Sequence, residues 1–190
     1  IVMPDVIVIA GPNGAGKSTL APALLRDTLK IFEYVNADTI AEGLSAFAPE
    51  DASFDAGRVM LRRLHELAEA QKDFSFETTL ASRSYAPWLR ELKENGYRVR
   101  LIFLCLRHVE TDIERVKARV RLGGHSIPED TIRRRFARGR KNLFELYLPI
   151  ADAWRVFNAG ASPAMEVARY TESERLIEFE PELWNKIKRR

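Results

Sequence analysis

The stretch VIVIAGPNGAGKSTL, residues 6–20, constrains the fold more than any other part of the chain. Val6, Ile7, Val8, Ile9 and Ala10 make a continuously apolar, mostly β-branched run, the pattern of a strand buried on both faces. A glycine-rich turn comes next and leads into a helix-forming segment. Gly11, Gly16, Lys17 and Ser18 satisfy G-x-x-x-x-G-K-[ST], the phosphate-binding P-loop pattern. Its glycines allow a backbone that a Cβ would obstruct. Successive N–H groups then face inward as an anion nest, and the helix N-terminus adds its positive dipole end. Gly11, Pro12, Asn13, Gly14, Ala15, Gly16, Lys17, Ser18 and Thr19 are therefore the expected nucleotide-binding residues. Lys17 is expected to reach the β- and γ-phosphates, and the Ser18 hydroxyl to bind Mg²⁺. The chain is expected to bind ATP with Mg²⁺.

Beyond the P-loop the chain alternates helix and strand. Residues 17–29 read as the first helix, with Pro22 in its first turns, where a missing N–H is tolerated. Residues 32–36 read as a short strand that ends in Asn36-Ala37-Asp38, and residues 39–54 as a polar segment. Residues 55–71 read as a helix, with Met60, Leu64 and Leu67 at i, i+4 and i+7. Residues 74–78 are a strand carrying Glu77; residues 85–94 are a helix that Asn95-Gly96 stops. Residues 98–106 are the next strand. A basic helix over residues 111–122 breaks at Gly123-Gly124, and Pro128, Glu129 and Asp130 open another that runs to residue 146 or 147. Residues 153–158 form a strand, residues 167–170 are a candidate added strand, and residues 181–190 a terminal helix. This spacing implies βαβ units and an α/β fold with a mostly parallel central sheet of about five strands, flanked by helices. No linker or repeat interrupts residues 1–190, so one domain is expected. In such sheets ligands sit beyond the carboxyl ends of the strands, where the P-loop, Asp38, Glu77 with Thr79, and Asn158 all fall.

Composition narrows the setting. No apolar run approaches the roughly 20 residues of a membrane span. No basic segment followed by an apolar one opens the chain, so a cytoplasmic protein is expected. The single Cys105 lies in an apolar strand and reads as a buried core thiol. Net charge is only +3, yet residues 107–141 hold eleven Lys/Arg against five Asp/Glu. So concentrated a basic segment suits a polyanion, either nucleic acid or the phosphates of an active site.

Several residues can carry chemistry. Asp38 can accept the proton of an acceptor hydroxyl during phosphoryl transfer, hold Mg²⁺, or simply cap a helix. Glu77 ends a buried strand, where an unpaired charge is costly. It can fix a substrate hydroxyl, order metal-bound water, or pair with an arginine. Thr79 can hydrogen-bond the substrate. The basic segment is organised as a helical, arginine-rich lid over about residues 119–141, with Gly123-Gly124-His125 at its tip. Arginines that close over a moving phosphoryl group stabilise its spread negative charge, and closure excludes water. Arg119 and Arg135 are expected to point inward, and Arg133 and Arg134 to belong to the solvated face. His125 can contact phosphate or act as an acid or base.

Taken together, GPNGAGKST, VNADTIA, FETTLASR, RVKARVRLGGHSIPEDTIRRRF, KNL and VFNAG resemble the zeta-toxin family of P-loop kinases, in particular its short chromosomal branch. The resemblance covers about residues 5–160. It implies a P-loop kinase fold and transfer of the γ-phosphate of ATP to a hydroxyl of a small molecule. It also implies Asp38 as the residue that activates the acceptor hydroxyl, Glu77 and Thr79 as the holders of a substrate sugar, and Arg119 as a phosphate clamp. The second clamp arginine of plasmid-type toxins falls near His125, so the role passes to His125 or to Arg135. Asn158 lies in a loop that faces adenine in related kinases. Plasmid-type members phosphorylate UDP-N-acetylglucosamine and pair with an antitoxin protein. This chain is shorter than they are and its FETTLASRSY loop differs.

Two other classes remain. GPNGAGKSTL is very like the P-loop of ABC ATPases, but Leu122-Gly123-Gly124-His125 only grazes their signature, and residues 101–106 end in Arg107-His108 rather than Asp-Glu. A nucleic-acid kinase or binder would favour aromatic stacking platforms on its basic surface, and residues 107–141 hold Phe136 alone.

Overall fold

β-branched residues at successive positions place a strand where both of its faces meet protein, and β1 (Asp5–Ala10) lies at the centre of the sheet. The computed structural model describes residues 3–124 and 126–189. Its seven strands run in the order β2-β3-β1-β4-β5-β6-β7. They are β2 (Tyr34–Val35), β3 (Phe74–Thr78), β4 (Arg98–Cys105), β5 (Ala153–Asn158), β6 (Met165–Thr171) and β7 (Arg175–Glu178) beside β1. The first five pair in parallel, and β6 and β7 add antiparallel strands at one edge. The expected parallel sheet of about five strands is thus present with two strands more. The candidate strand at residues 167–170 is the middle of β6. β7 carries little signal in the sequence because it is four residues long and joins β6 through a short turn.

The side-chain alternation of β1 divides the core. Val6, Val8 and Ala10 face a large layer that contains Met60, Leu64 and Leu67 of α3 (Ser53–Glu69) and Leu89 and Leu92 of α4 (Tyr85–Glu94). Leu183, Trp184 and Ile187 of α7 (Pro181–Lys188) close the same layer. Ile7 and Ile9 face the other way, against Ala21 of α1 (Lys17–Ala21), Leu25 and Ile31. Beyond Ala21 the first helix widens into a π-helical stretch, Pro22–Leu29. Pro22 has no N–H to donate to the carbonyl four residues earlier, and the ladder resets there.

Two elements differ from expectation. The polar segment at residues 39–54 contains the end of a helix, α2 (Ala37–Leu44), whose only fully buried residue is Ala41. Its apolar positions, Ala37, Ile40, Ala41 and Leu44, span only eight residues of an otherwise polar stretch. The basic segment forms α5 (Val109–Arg121) and α6 (Glu129–Asn142), joined by Ile113, Val116 and Ile132 in a small apolar cluster of their own. The end of α6 runs on as a π-helical turn, Leu143–Tyr147, into the main core. Cys105 is buried in that core, and desolvation pushes its thiol up to about 12. Among the described residues no helix is long and apolar enough to cross a membrane.

Candidate active site

The register between β1 and β3 sets the site. Ile9 pairs with Glu77 and Ala10 with Thr78, so β3 ends alongside the start of the P-loop. Gly11 leaves β1 with φ +146°, and a Cβ there would stand 2.5 Å from the Leu104 carbonyl oxygen. Gly16 caps α1 in the left-handed region, with φ +81°. Gly14 sits under α5, where a Cβ would lie 2.9 Å from Arg115 Cβ and from the Asp112 carboxylate. Gly11 and Gly16 are the two glycines of the pattern; Gly14, at one of its free positions, is required here by the close approach of α5.

A cleft of about 730 Å³ opens over this loop. Asn13, Gly14, Gly16, Lys17, Ser18 and Thr19 line its floor. Gly11, Pro12 and Ala15 are buried behind it. Lys17 is 5% exposed, and its Nζ donates to the Pro12 carbonyl at 2.8 Å. Burial lowers its pKa; the Glu77, Asp38 and Asp112 carboxylates oppose that shift and favour the cation.

Glu77 is the hub of the donor end. Its Oε1 is 3.6 Å from Lys17 Nζ. Its Oε2 accepts from Ser18 Oγ at 2.9 Å, Tyr34 OH at 2.5 Å and Asn36 Nδ2 at 3.0 Å. Burial and the same carboxylate raise the Tyr34 pKa, so the phenol remains a donor. The ion pair of Glu77 is therefore with the P-loop lysine and not with an arginine. The reading of Asp38 as a helix cap is also corrected. Asn36 caps α2, its Oδ1 accepting from Asp38 N at 2.8 Å and Thr39 N at 3.4 Å. Asp38, in the first turn of α2, is exposed and lines the cleft with Thr39, Glu42, Thr79 and Tyr85.

Arg119 and Arg135 both line the cleft, from α5 and α6 respectively. Among the described residues, Arg119 Nε and Nη2 are buried without a hydrogen-bond partner. Arg133 and Arg134 are exposed; Arg133 pairs with Glu110 and Glu129, and Arg134 Nη2 donates to Thr131 Oγ1. His125 lies outside the described residues. Asn158, at the end of β5, is buried, and its Oδ1 accepts from Gly160 N at 3.0 Å. It is not among the residues that line this cleft.

α6 is tied down at its far end. A Cβ on Gly139 would meet the Thr79 carbonyl oxygen at 2.3 Å. Asn142 Nδ2 donates to the Leu80 and Ala81 carbonyls, and Tyr147 OH donates to the Ser82 carbonyl at 2.6 Å. The loop after β3 and the arginine-bearing helix are therefore one packed unit.

Residues not singled out from the sequence complete the site. Asp112 is fully buried, and its Oδ1 accepts the Gly14 N–H. Burial raises its pKa against that hydrogen bond and the charge of Lys17. Arg115 Nη1 donates to the Gly14 carbonyl at 3.3 Å. Asp112, Arg115 and Arg119, spaced i, i+3, i+7, form one stripe of α5 aimed at the P-loop, a periodic signal available in the sequence. Tyr34 and Asn36 carried no such signal, because their role depends on Glu77, 43 and 41 positions away.

Fold and site together define a protein of the P-loop kinase class. The chain belongs to the zeta toxin family, whose model matches residues 2–162. A Haemophilus influenzae protein described as uncharacterised is 34% identical over 136 residues, 72% of this chain and 95% of that protein. A solved chain from the PezAT chromosomal toxin–antitoxin system of Streptococcus pneumoniae has a TM-score of 0.68 at 16% identity, covering 100% of this chain and 80% of that one. A chain of the AvrRxo1-ORF1:-ORF2 complex with ATP has a TM-score of 0.76 at 19% identity, covering 97% of this chain. This chain spans 63% of the length of that AvrRxo1 chain. At these identities the structural likeness is one of fold.

Proposed function

We propose that the protein is an ATP-dependent phosphotransferase that moves the γ-phosphate to a hydroxyl of a small molecule. The observation that carries this reading is the content of a single cleft. Lys17 and Ser18 of the P-loop, Asp38 and Thr79, and Arg119 and Arg135 all line it. A P-loop that only hydrolysed ATP would need no second polar wall.

The residues fit Mg²⁺. Ser18 gives its one hydroxyl proton to Glu77 Oε2, which leaves its lone pairs for a cation. Ser18 would hold the ion, with Glu77 beside it; when bound, Mg²⁺ neutralises charge on the phosphates. The chain's own groups do the rest. Asp38 accepts the proton of the acceptor hydroxyl as its oxygen attacks the γ-phosphorus. The bond between that phosphorus and the β,γ-bridging oxygen breaks, and ADP leaves. Lys17, Arg119 and Arg135 stabilise the charge that spreads over the phosphoryl oxygens. Thr79 and Glu77 serve the acceptor side and the donor side at the end of one strand, and Asn158, outside this cleft, is assigned to the adenine by the family resemblance alone.

UDP-N-acetylglucosamine is the first acceptor to test, by kinship with the zeta toxins. Two of the related structures, one from a toxin–antitoxin system and one from a two-protein complex, support an antitoxin partner for this chain. Nucleic acid is disfavoured as a partner because Glu110 and Glu129 neutralise part of the basic face.

The experiment is incubation with γ-labelled ATP and a panel of sugar nucleotides, nucleosides and oligonucleotides. Label is expected on a small alcohol, and its transfer is lost in Asp38→Ala and Lys17→Ala. Transfer at the parent rate in both variants refutes the mechanism. Transfer to another alcohol keeps the kinase and removes the sugar nucleotide.

A further inference from the structure

Three donors converge on one oxygen of Glu77. Tyr34 OH, Ser18 Oγ and Asn36 Nδ2 all reach Oε2, while Oε1 faces Lys17 Nζ at 3.6 Å. A glutamate carboxylate turns easily about its last torsion, which has a broad and roughly two-fold profile. Donors gathered on one oxygen stop that exchange. Asn36 Nδ2 also reaches Ser18 Oγ at 3.4 Å and the Tyr34 hydroxyl at 3.3 Å, so the four side chains form one network. Tyr34 is not among the residues that line the nucleotide cleft. It lies by a separate groove with Arg62, Arg63 and Glu66, and its hydroxyl meets the site through Glu77 and Asn36.

We infer that Tyr34 and Asn36 are positioning residues for the metal of the donor site. They lock Glu77 so that Oε2 keeps the Ser18 hydroxyl proton, which would turn a Ser18 lone pair to Mg²⁺, while Oε1 stays turned to Lys17. This rests on the phosphotransferase reading of the cleft. Metal sites commonly depend on such outer partners, whose loss lowers metal affinity by about 10- to 100-fold.

The test needs no acceptor and no turnover. ADP is titrated calorimetrically into the full chain, once in saturating Mg²⁺ and once in EDTA. The ratio of the two dissociation constants reads the contribution of the cation. Tyr34→Phe deletes one hydroxyl and should lower that ratio about 10-fold, with the constant in EDTA unchanged. Asn36→Ser keeps a capping oxygen for α2 while removing the amide donor, and should lower the ratio too. It carries the test alone if Tyr34→Phe does not fold by circular dichroism. A ratio equal to that of the parent, or an equal weakening with and without Mg²⁺, overturns the inference and leaves the kinase reading standing. A parent protein whose ADP affinity ignores Mg²⁺ overturns the metal-assisted donor site and this inference together.

Discussion

Replacing Arg119 by alanine should leave stability almost untouched and remove most of the activity. Two nitrogens of this guanidinium, Nε and Nη2, are buried with no partner among the described residues. A buried polar group left unsatisfied costs about 1–3 kcal/mol, so truncation relieves a penalty of that order. Truncation to alanine keeps Cβ and removes two methylenes, worth about 0.8 kcal/mol per buried CH₂, or roughly 1.6 kcal/mol. The two terms nearly cancel. For a chain of this size 1 kcal/mol moves Tm by about 2–4 °C, so Tm should stay within about 4 °C of the parent. Turnover is another matter. A preorganised donor aimed at developing charge is worth about 10²–10³ in rate, and a phosphate-clamping arginine up to about 10⁵. We expect kcat for transfer from γ-labelled ATP to fall at least 10²-fold, with ADP affinity within about threefold. A scanning calorimetry trace, an ADP titration and a single-turnover transfer assay measure the three quantities. A Tm drop above about 8 °C would make Arg119 a structural residue. A kcat within threefold of the parent would remove it from the mechanism.

Two further substitutions probe how the helices hold the cleft. Burial raises the pKa of Asp112, so its proton is held more tightly in the folded chain than in the unfolded one. The stabilisation from this group is full below its unfolded pKa and is lost as pH rises through the folded value. Asp112→Asn should therefore gain on the parent in urea melts as pH rises above the ordinary carboxylate range; a pH-independent difference refutes the assignment. Gly139→Ala drives a Cβ into the Thr79 carbonyl oxygen, with backbone on both sides and no flexible group to yield. Overpacking of this kind costs about 1–3 kcal/mol, and the displaced loop should raise KM for the acceptor more than KM for ATP. A variant with parental Tm and acceptor KM would show that α6 and the loop are not one unit.

The parts of this architecture legible in the sequence are those with a local cause. The glycines at positions 11 and 16 announce a loop because left-handed or crowded backbone has few other solutions, and the observed φ values are +146° and +81°. Unbroken apolar runs announce β1 and β4 because a strand buried on both faces has no polar side to show. α2 is less legible: Ala37, Ile40, Ala41 and Leu44 do recur at i, i+3, i+4 and i+7, but over eight residues only, inside a stretch whose polar composition reads as a loop. Asp112 and Glu77 show a different limit. Asp112 meets Gly14 across 98 positions and Glu77 meets Ser18 across 59, and no window of sequence spans either contact. What brings them in is strand register. Glu77 sits opposite Ile9, one residue short of the end of β1, so its side chain arrives beside the serine of the P-loop. Two residues further on, Thr79 lies past the strand, held by α6. In the proposed mechanism the short FETT segment thus carries a donor-side carboxylate and an acceptor-side hydroxyl, and both residues line the cleft. A shift of β3 by one residue would turn Glu77 to the opposite face and break its contacts with Ser18 and Lys17. The pairing of β1 with β3, more than any single motif, is what joins the two halves of the cleft.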